Sequence, residues 1–387
     1  MIAAGIIAEF DPFHNGHKYL IKEARSGGAT HIAVAMSGSA TQRGAVSAFD
    51  KFSRAEAAVK HGADLVLELP APLSCSNAEV FARAGIAALA GLGEGVISRL
   101  CFGSETADGN LIIQAARASS ELRQSPLALE YTRRGDSYPL AMAKACEQQY
   151  GHEVASVFKS PNSTLAVEYC RAIESLAPYI EPRPVLRAGP AHNSSKLCRG
   201  FASGSQLRER AAKDEDLSAY MPEKLSGFSH AGRLDSIFLY RLLSAGRQEL
   251  LELPDVNEQL ADRLLKASKE GSPTCEALLM ACKSKNITLA RLRRLALQLV
   301  LGVRREDIIP LPYLRILAFN DRGRELLRAA KSSLPIDTSL ARLESVSDRC
   351  ARTIEIETKA TILRSIGTEE DPCGRGCEYR KQIKIFP

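Results

Sequence analysis

The chain has 387 residues, 45% of them hydrophobic and 25% charged, the composition of a soluble globular protein long enough for two domains with separate cores. Its net charge of +6 permits a polyanionic partner without demanding one. Glu9 and Asp11 come too early for a signal peptide and no apolar run approaches the ~18 residues of a membrane span, so a cytoplasmic location is expected.

In chain order, residues 2–8 read as a buried strand broken by Asp11-Pro12, and the helical spacing of Tyr19, Leu20 and Ala24 predicts a helix from Gly16 to about Gly27-Gly28. A strand follows at 31–36, then a helix capped by Asp50 and ending near His61-Gly62, and a strand at 64–69. Ser76 and Glu79 have capping-box spacing and predict a helix to about Leu92, after which residues 98–102 form a strand. Gly91, Gly93 and Gly95 lie between that helix and strand, the reverse of the order that cradles a pyrophosphate, and read as a helix-ending loop. Such alternation predicts an α/β fold, a Rossmann-like parallel sheet with helices on both faces. From Asp214 the pattern turns mainly helical, giving expected domains of 1–213 and 214–387. In the second, Lys283 to Arg305 carries seven cations, including Arg291, Arg293 and Arg294, and no acid. This reads as a solvated helix face or as a basic surface for RNA. The ten cysteines are scattered and expected to be mostly reduced and buried, and the close pair Cys373 and Cys377 lacks the knuckle spacing of a zinc site.

The chemistry concentrates in the first turn. His14 and His17 stand where a strand becomes a helix N-terminus, with Gly16 between them. That helix end attracts phosphate, and two imidazole donors there suit the charge that develops on a nucleotide α-phosphate during displacement. The pattern resembles the His-x-Gly-His signature of the nucleotidylyltransferase superfamily, although a bare pair of histidines also satisfies a turn.

Further blocks resemble one family. Residues 36–44 (MSGSATQRG), 62–70 (GADLVLELP), 101–105 (CFGSE), 160–164 (SPNST) and 312–324 (PYLRILAFNDRGR) look like those of the tRNA(Met) cytidine acetate ligases, in order along nearly the whole chain. The resemblance implies a bacterial enzyme that makes acetyl-adenylate and pyrophosphate from acetate and ATP, with Mg²⁺ on the leaving group. It implies transfer of the acetyl group to N4 of the wobble cytidine of elongator tRNA(Met). By similarity, His14 and His17 are catalytic. The ATP-binding positions are Ile7, Ala8, Glu9, Phe10, Asp11, Pro12, Phe13, His14, Asn15, Gly16, His17, Lys18, Tyr19 and Leu20, with Gly103, Asn162 and Arg187.

The chain departs from the family at Asp11, usually Asn, and at Pro190-Ala191-His192, where an aromatic residue usually precedes the His. By residue type alone, Gly103 also reads as a tight turn, Asn162 as an N-cap and Arg187 as a surface cation. Ser203 and Arg208 resemble a helix start that closes on a triphosphate, with a plain cap as the competing reading. Asp50, Lys51 and Arg54 either line the same mouth or form a capped helix start with solvated cations. The alternative functions are a small-molecule adenylyltransferase of the pantetheine-phosphate or nicotinamide-mononucleotide kind, which leaves the basic helical part without a task, and a non-enzymatic RNA-binding protein.

Overall fold

The computed structural model describes residues 1–134, 136, 138–188 and 200–387. Its strands are β1 (Ala3–Ala8), β2 (His31–Ser37), β3 (Leu65–Leu69), β4 (Arg99–Ser104), β5 (Glu181–Leu186), β6 (Leu314–Phe319), β7 (Ile336–Asp337) and β8 (Lys384–Ile385). They form one sheet in the order β5-β4-β1-β2-β3-β6-β7, with β8 beside β6. β1 to β5 pair in parallel, as expected, with helices between them. β2 and β3 are buried along their whole length, which explains their near-continuous apolar runs. On β1, Ala3 and Ile7 face one core, while Ala4 and Ile6 face the other. Gly5 lies where a Cβ would come within 2.5 Å of Leu89, so the helix Ala78–Ala90 can pack tightly on the strand.

Strand order reverses at β1, which has β2 on one side and β4 on the other. Ligands of such sheets bind beyond the carboxyl ends of the strands at this switch point, and the histidine turn begins there.

The mostly parallel sheet also takes in a strand from the later part of the chain: β6 runs antiparallel to β3, with Leu65 opposite Phe319. After the change of pattern at residue 214 the chain thus returns to the sheet at 314–319. Between the two, residues from Leu242 to Leu299 pack a separate helical core. One expectation is corrected here: the helix Ala78–Ala90 is capped by Asn77, whose side chain accepts from Val80 N at 3.0 Å, and not by Ser76. Ser76 instead donates to Pro72 O at 2.7 Å, closing the short helix Ala71–Ser74, and Glu79 pairs with Arg123.

The last part of the chain is bound to the sheet through charge. Lys51 contacts Glu68 at 2.5 Å, Glu357 at 2.8 Å and Glu378 at 2.5 Å, and Arg315 contacts Glu68 at 3.1 Å and Glu378 at 2.5 Å. All five side chains are buried. Lys51 thus belongs to the interior, contrary both to the reading that placed it at a ligand mouth and to the reading as a solvated cation. Arg54 is interior as well: it donates to Phe49 O, Glu9 O, Ser37 O and Gly38 O, tying together the carboxyl ends of β1 and β2. Asp50 caps the helix Lys51–Lys60. No helix among the described residues is long and apolar enough to cross a membrane.

Candidate active site

The helix Asn15–Ser26 starts with His14 as its N-cap. His14 Nδ1 accepts from Gly16 N at 3.1 Å, and His17 Nδ1 accepts from His14 N at 3.3 Å, so the two histidines form a reciprocal capping box. Because a backbone N–H only donates, each Nδ1 must be unprotonated, and each neutral ring carries its proton on Nε2. The rings stack with centroids 3.6 Å apart and 17° between planes. Phe10 meets His17 edge-on with centroids 4.7 Å apart and Phe13 at 5.0 Å, fixing the rings from beneath. Gly16 is required by this stack, since a Cβ there would come within 2.9 Å of the His14 ring.

Both histidines are held neutral. Burial, reinforced by Arg187 and Arg208, pushes His14 down to about 3. Burial, then the neighbouring His14 and Arg187, pushes His17 well below its ordinary value. The site therefore offers two Nε2–H donors at a helix N-terminus in a field made positive by guanidinium groups.

Those groups come from distant segments. Arg187 follows β5, its N–H bonded to Ser104 O at 3.1 Å, and a Cβ on Gly103 would only just touch its side chain at 3.4 Å. Arg208 lies on the helix Gly204–Ala211 and donates to Asp11 O. Ser203 and Gln206 form a capping box at the start of that helix. Ser205 Oγ accepts from Arg208 at 3.2 Å and from Arg43 at 3.1 Å. Asn15 anchors the same region, donating to Gly200 O at 2.8 Å and Ala219 O at 3.1 Å. On the far side of Arg187, Asn162 opens the helix Pro161–Leu176 and donates to Glu105 Oε1 at 2.6 Å.

The expected nucleotide segment divides into two groups. His14, Asn15, Gly16 and His17 build the turn, whereas Phe10, Pro12 and Phe13 are buried beneath it and Ile7 is buried in the core on the other face of the sheet. Leu20 is packed on the core, Ala8 ends β1, Lys18 is exposed, and Tyr19 meets Phe201 edge-on. Glu9 accepts from Gln42 N at 2.8 Å. The Asp11 carboxylate accepts from Ala48 N at 2.9 Å and Phe49 N at 3.0 Å. Both of its oxygens face donors, so an acceptor-only side chain suits the place taken by Asn in the family. Residues 190–192, the other departure, lie outside the described residues.

The basic run does not present one cationic face. Arg293 pairs with Glu276 at 2.6 Å, Lys285 with Asp136 at 3.3 Å, and Arg291 donates to Asp255 O. Arg294 turns inward and donates to Gln42 O at 3.4 Å, next to Arg43. Residue type signals charge but not the acids supplied by other helices. Sequence reasoning missed Arg43 and Glu105 as site residues, although both stand in blocks that carry the family resemblance. No group of three or more His, Cys, Asp or Glu that could hold a metal ion occurs among the described residues.

A family model described as HIGH nucleotidyl transferase matches residues 1–375, which fixes the class to which this turn and sheet belong. The chain is 34% identical to the tRNA(Met) cytidine acetate ligase of Clostridium kluyveri over 374 residues, covering 88% of this chain and 90% of that protein. It is 33% identical to the protein of the same name from Syntrophotalea carbinolica over 366 residues, covering 89% and 86%. The chain belongs to the tRNA(Met) cytidine acetate ligase family. Among solved structures, Thermotoga maritima TmcAL bound with alpha-thio ATP superposes with a TM-score of 0.88 at 25% identity, covering all of both chains.

Proposed function

We propose that this protein activates acetate with ATP and transfers the acetyl group to N4 of the wobble cytidine of elongator tRNA(Met). The observation that carries the reading is the pair of neutral, stacked imidazoles at a helix N-terminus, each with Nε2–H free of its own cap, in the field of Arg187 and Arg208, with Arg43 held beside Arg208 through Ser205. An acetate oxygen bonds to the α-phosphorus as pyrophosphate leaves. His14 and His17 donate to the phosphoryl oxygens as charge builds, and the arginines hold the polyphosphate. Mg²⁺ enters as part of the MgATP substrate. The cytidine amine then attacks the acetyl carbon, AMP leaves, and the amine loses a proton. No protein nucleophile is needed, because the work is positioning and electrostatics. The helical part that carries Arg291 and Arg293 supplies RNA contacts in this reading, while Arg294 serves the loop that bears Arg43. The location is cytoplasmic, where tRNA is found.

Incubation with ATP, acetate and elongator tRNA(Met) yields one acetylated cytidine by nucleoside mass spectrometry. A transcript with uridine at the wobble position yields none, because the exocyclic amine is the nucleophile. Equal acetylation of the uridine transcript, or acetate-independent transfer of the adenylyl group from ATP to a small-molecule acceptor with release of pyrophosphate, overturns the assignment.

The histidines also set a pH dependence. Their depressed values keep them neutral across the working range, so acetate-dependent pyrophosphate release shows no loss with a midpoint near 6.5 when pH is lowered from 8 to 5. Stability behaves differently. The unfolded chain takes up protons on these histidines below about 6.5 and the folded chain does not until His14 nears about 3, so they lower stability progressively as pH falls through that window. Thermal melts of the wild type and of His14→Asn, compared between pH 7 and pH 5, check the sign: the variant loses less.

A further inference from the structure

Three helix starts lie around Arg187 and Arg208, at His14, Ser203 and Ser160, and the last is already occupied by an acid. Glu105, just past the end of β4, accepts from Ser160 Oγ at 2.7 Å, Ser163 N at 3.1 Å and Ser163 Oγ at 2.8 Å through Oε2. Its Oε1 accepts from Asn162 Nδ2 at 2.6 Å. A carboxylate on the N-terminus of the helix Pro161–Leu176 takes the place an anion would occupy and repels another. The other two starts, at His14 and Ser203, carry no acid in the first turn. Arg187 and Arg208 act on His14, Ser205 beside Ser203 accepts from Arg43 and Arg208, and Arg187 stands between the histidines and Glu105, within electrostatic reach of both. Polyphosphate and acetate, both anionic, are thereby directed to the histidine side. The Glu105 side is left for the uncharged end of a nucleotide.

Glu105 also fixes which end of the Asn162 amide is available. An ionised carboxylate only accepts, so Asn162 must turn its NH₂ toward Glu105, and Oδ1 receives no donor among the described residues. Although burial of Glu105 opposes ionisation, the hydrogen bonds from Asn162, Ser160 and Ser163 prevail and hold it below the usual carboxylate range. Asn162 thus offers a carbonyl oxygen, an acceptor suited to an amino group and unsuited to a carbonyl.

We propose that Glu105 is a positioning residue that orients Asn162 as an acceptor and so selects a nucleotide whose base carries an exocyclic amine. This rests on the ATP reading of the site. The experiment compares ATP with ITP, which replaces the amine by a carbonyl, in acetate-dependent pyrophosphate release by the full-length wild type, Glu105→Gln and Glu105→Asp. In the Gln variant the side-chain amide donates to Asn162 Oδ1 and removes the constraint. The KM for ATP rises about tenfold and the wild-type preference for ATP over ITP falls by a similar factor, roughly the effect of one hydrogen bond. Glu105→Asp, which keeps the acceptor, retains more of the preference. Melting temperatures identify a variant that has merely lost its fold, and a purely structural role would not change the ATP-to-ITP ratio. A ratio in the Gln variant equal to that of the wild type overturns the proposal while leaving the ATP reading intact. Failure of the wild type to bind ATP in titration calorimetry overturns both.

Discussion

Replacing His17 by Ala is expected to abolish acetate-dependent pyrophosphate release while the protein stays folded. The ring accepts a backbone hydrogen bond through Nδ1 and presents Nε2–H at the helix start, where in the proposed mechanism the field of Arg187 and Arg208 would attract the polyphosphate. Ground-state binding is shared among many groups, whereas the charge that grows during displacement falls on a few fixed donors. Loss of one such donor costs on the order of 10²–10³ in rate. Steady-state assays should therefore place most of the loss in kcat, with a modest change in KM for ATP. His17 also completes the capping box, so some stability is lost, about 1 kcal/mol for a helix cap. Near-native turnover in His17→Ala would rule out the histidine turn as the catalytic centre.

The largest expected effect on stability lies away from the site. Lys51→Met leaves Glu68, Glu357 and Glu378 buried with Arg315 as their sole cationic partner in the cluster. Burial alone would drive the Lys51 ammonium toward neutrality, but the three carboxylates hold it charged. Burial has already pushed Glu357 up to about 7, while Lys51 and Arg315 hold Glu378 down to about 2 against the effect of burial. Breaking such an interior pair from one side costs about 3–5 kcal/mol, because the remaining charges are left uncompensated. Chemical denaturation should show that loss at pH 7.5 and a smaller one near pH 5.5, where Glu357 is protonated in both proteins. An equal loss at the two pH values would mean that the effect is packing and not charge. Glu357 also accepts from Ser39 N at 2.7 Å and Ala71 N at 2.6 Å. Destabilisation should thus reach the 38–44 loop that carries Arg43.

What depends on neighbours in the chain can be read before folding. The first four strands, the long helices between them and the histidine turn follow from apolar runs, caps and breakers within a dozen residues, and their observed ends differ from the expected ones by one or two positions, whereas the short helix Ala71–Ser74 gave no such signal. His14 and His17 were legible because strand, turn and helix start lie together in the chain. The family was legible because its blocks are contiguous.

What depends on partners distant in sequence emerges on folding. Residues 314–319 have the same apolar character whether they pack under helices or close a sheet, and only the free edge of β3 makes them an antiparallel neighbour. Ser76 has the spacing of a capping box, yet the preceding short helix claims its hydroxyl and moves the cap to Asn77. Lys51 and Arg54 have the side chains of a solvated helix start, but Glu357 and Glu378, some 300 residues away, and the carbonyls at the ends of β1 and β2 draw them inside. The basic run reads as one face until Glu276 and Asp136 are brought beside it. The charge of a side chain is set by its residue type, but its role is set by which opposite charge folding brings near and how much water is removed, and neither is local.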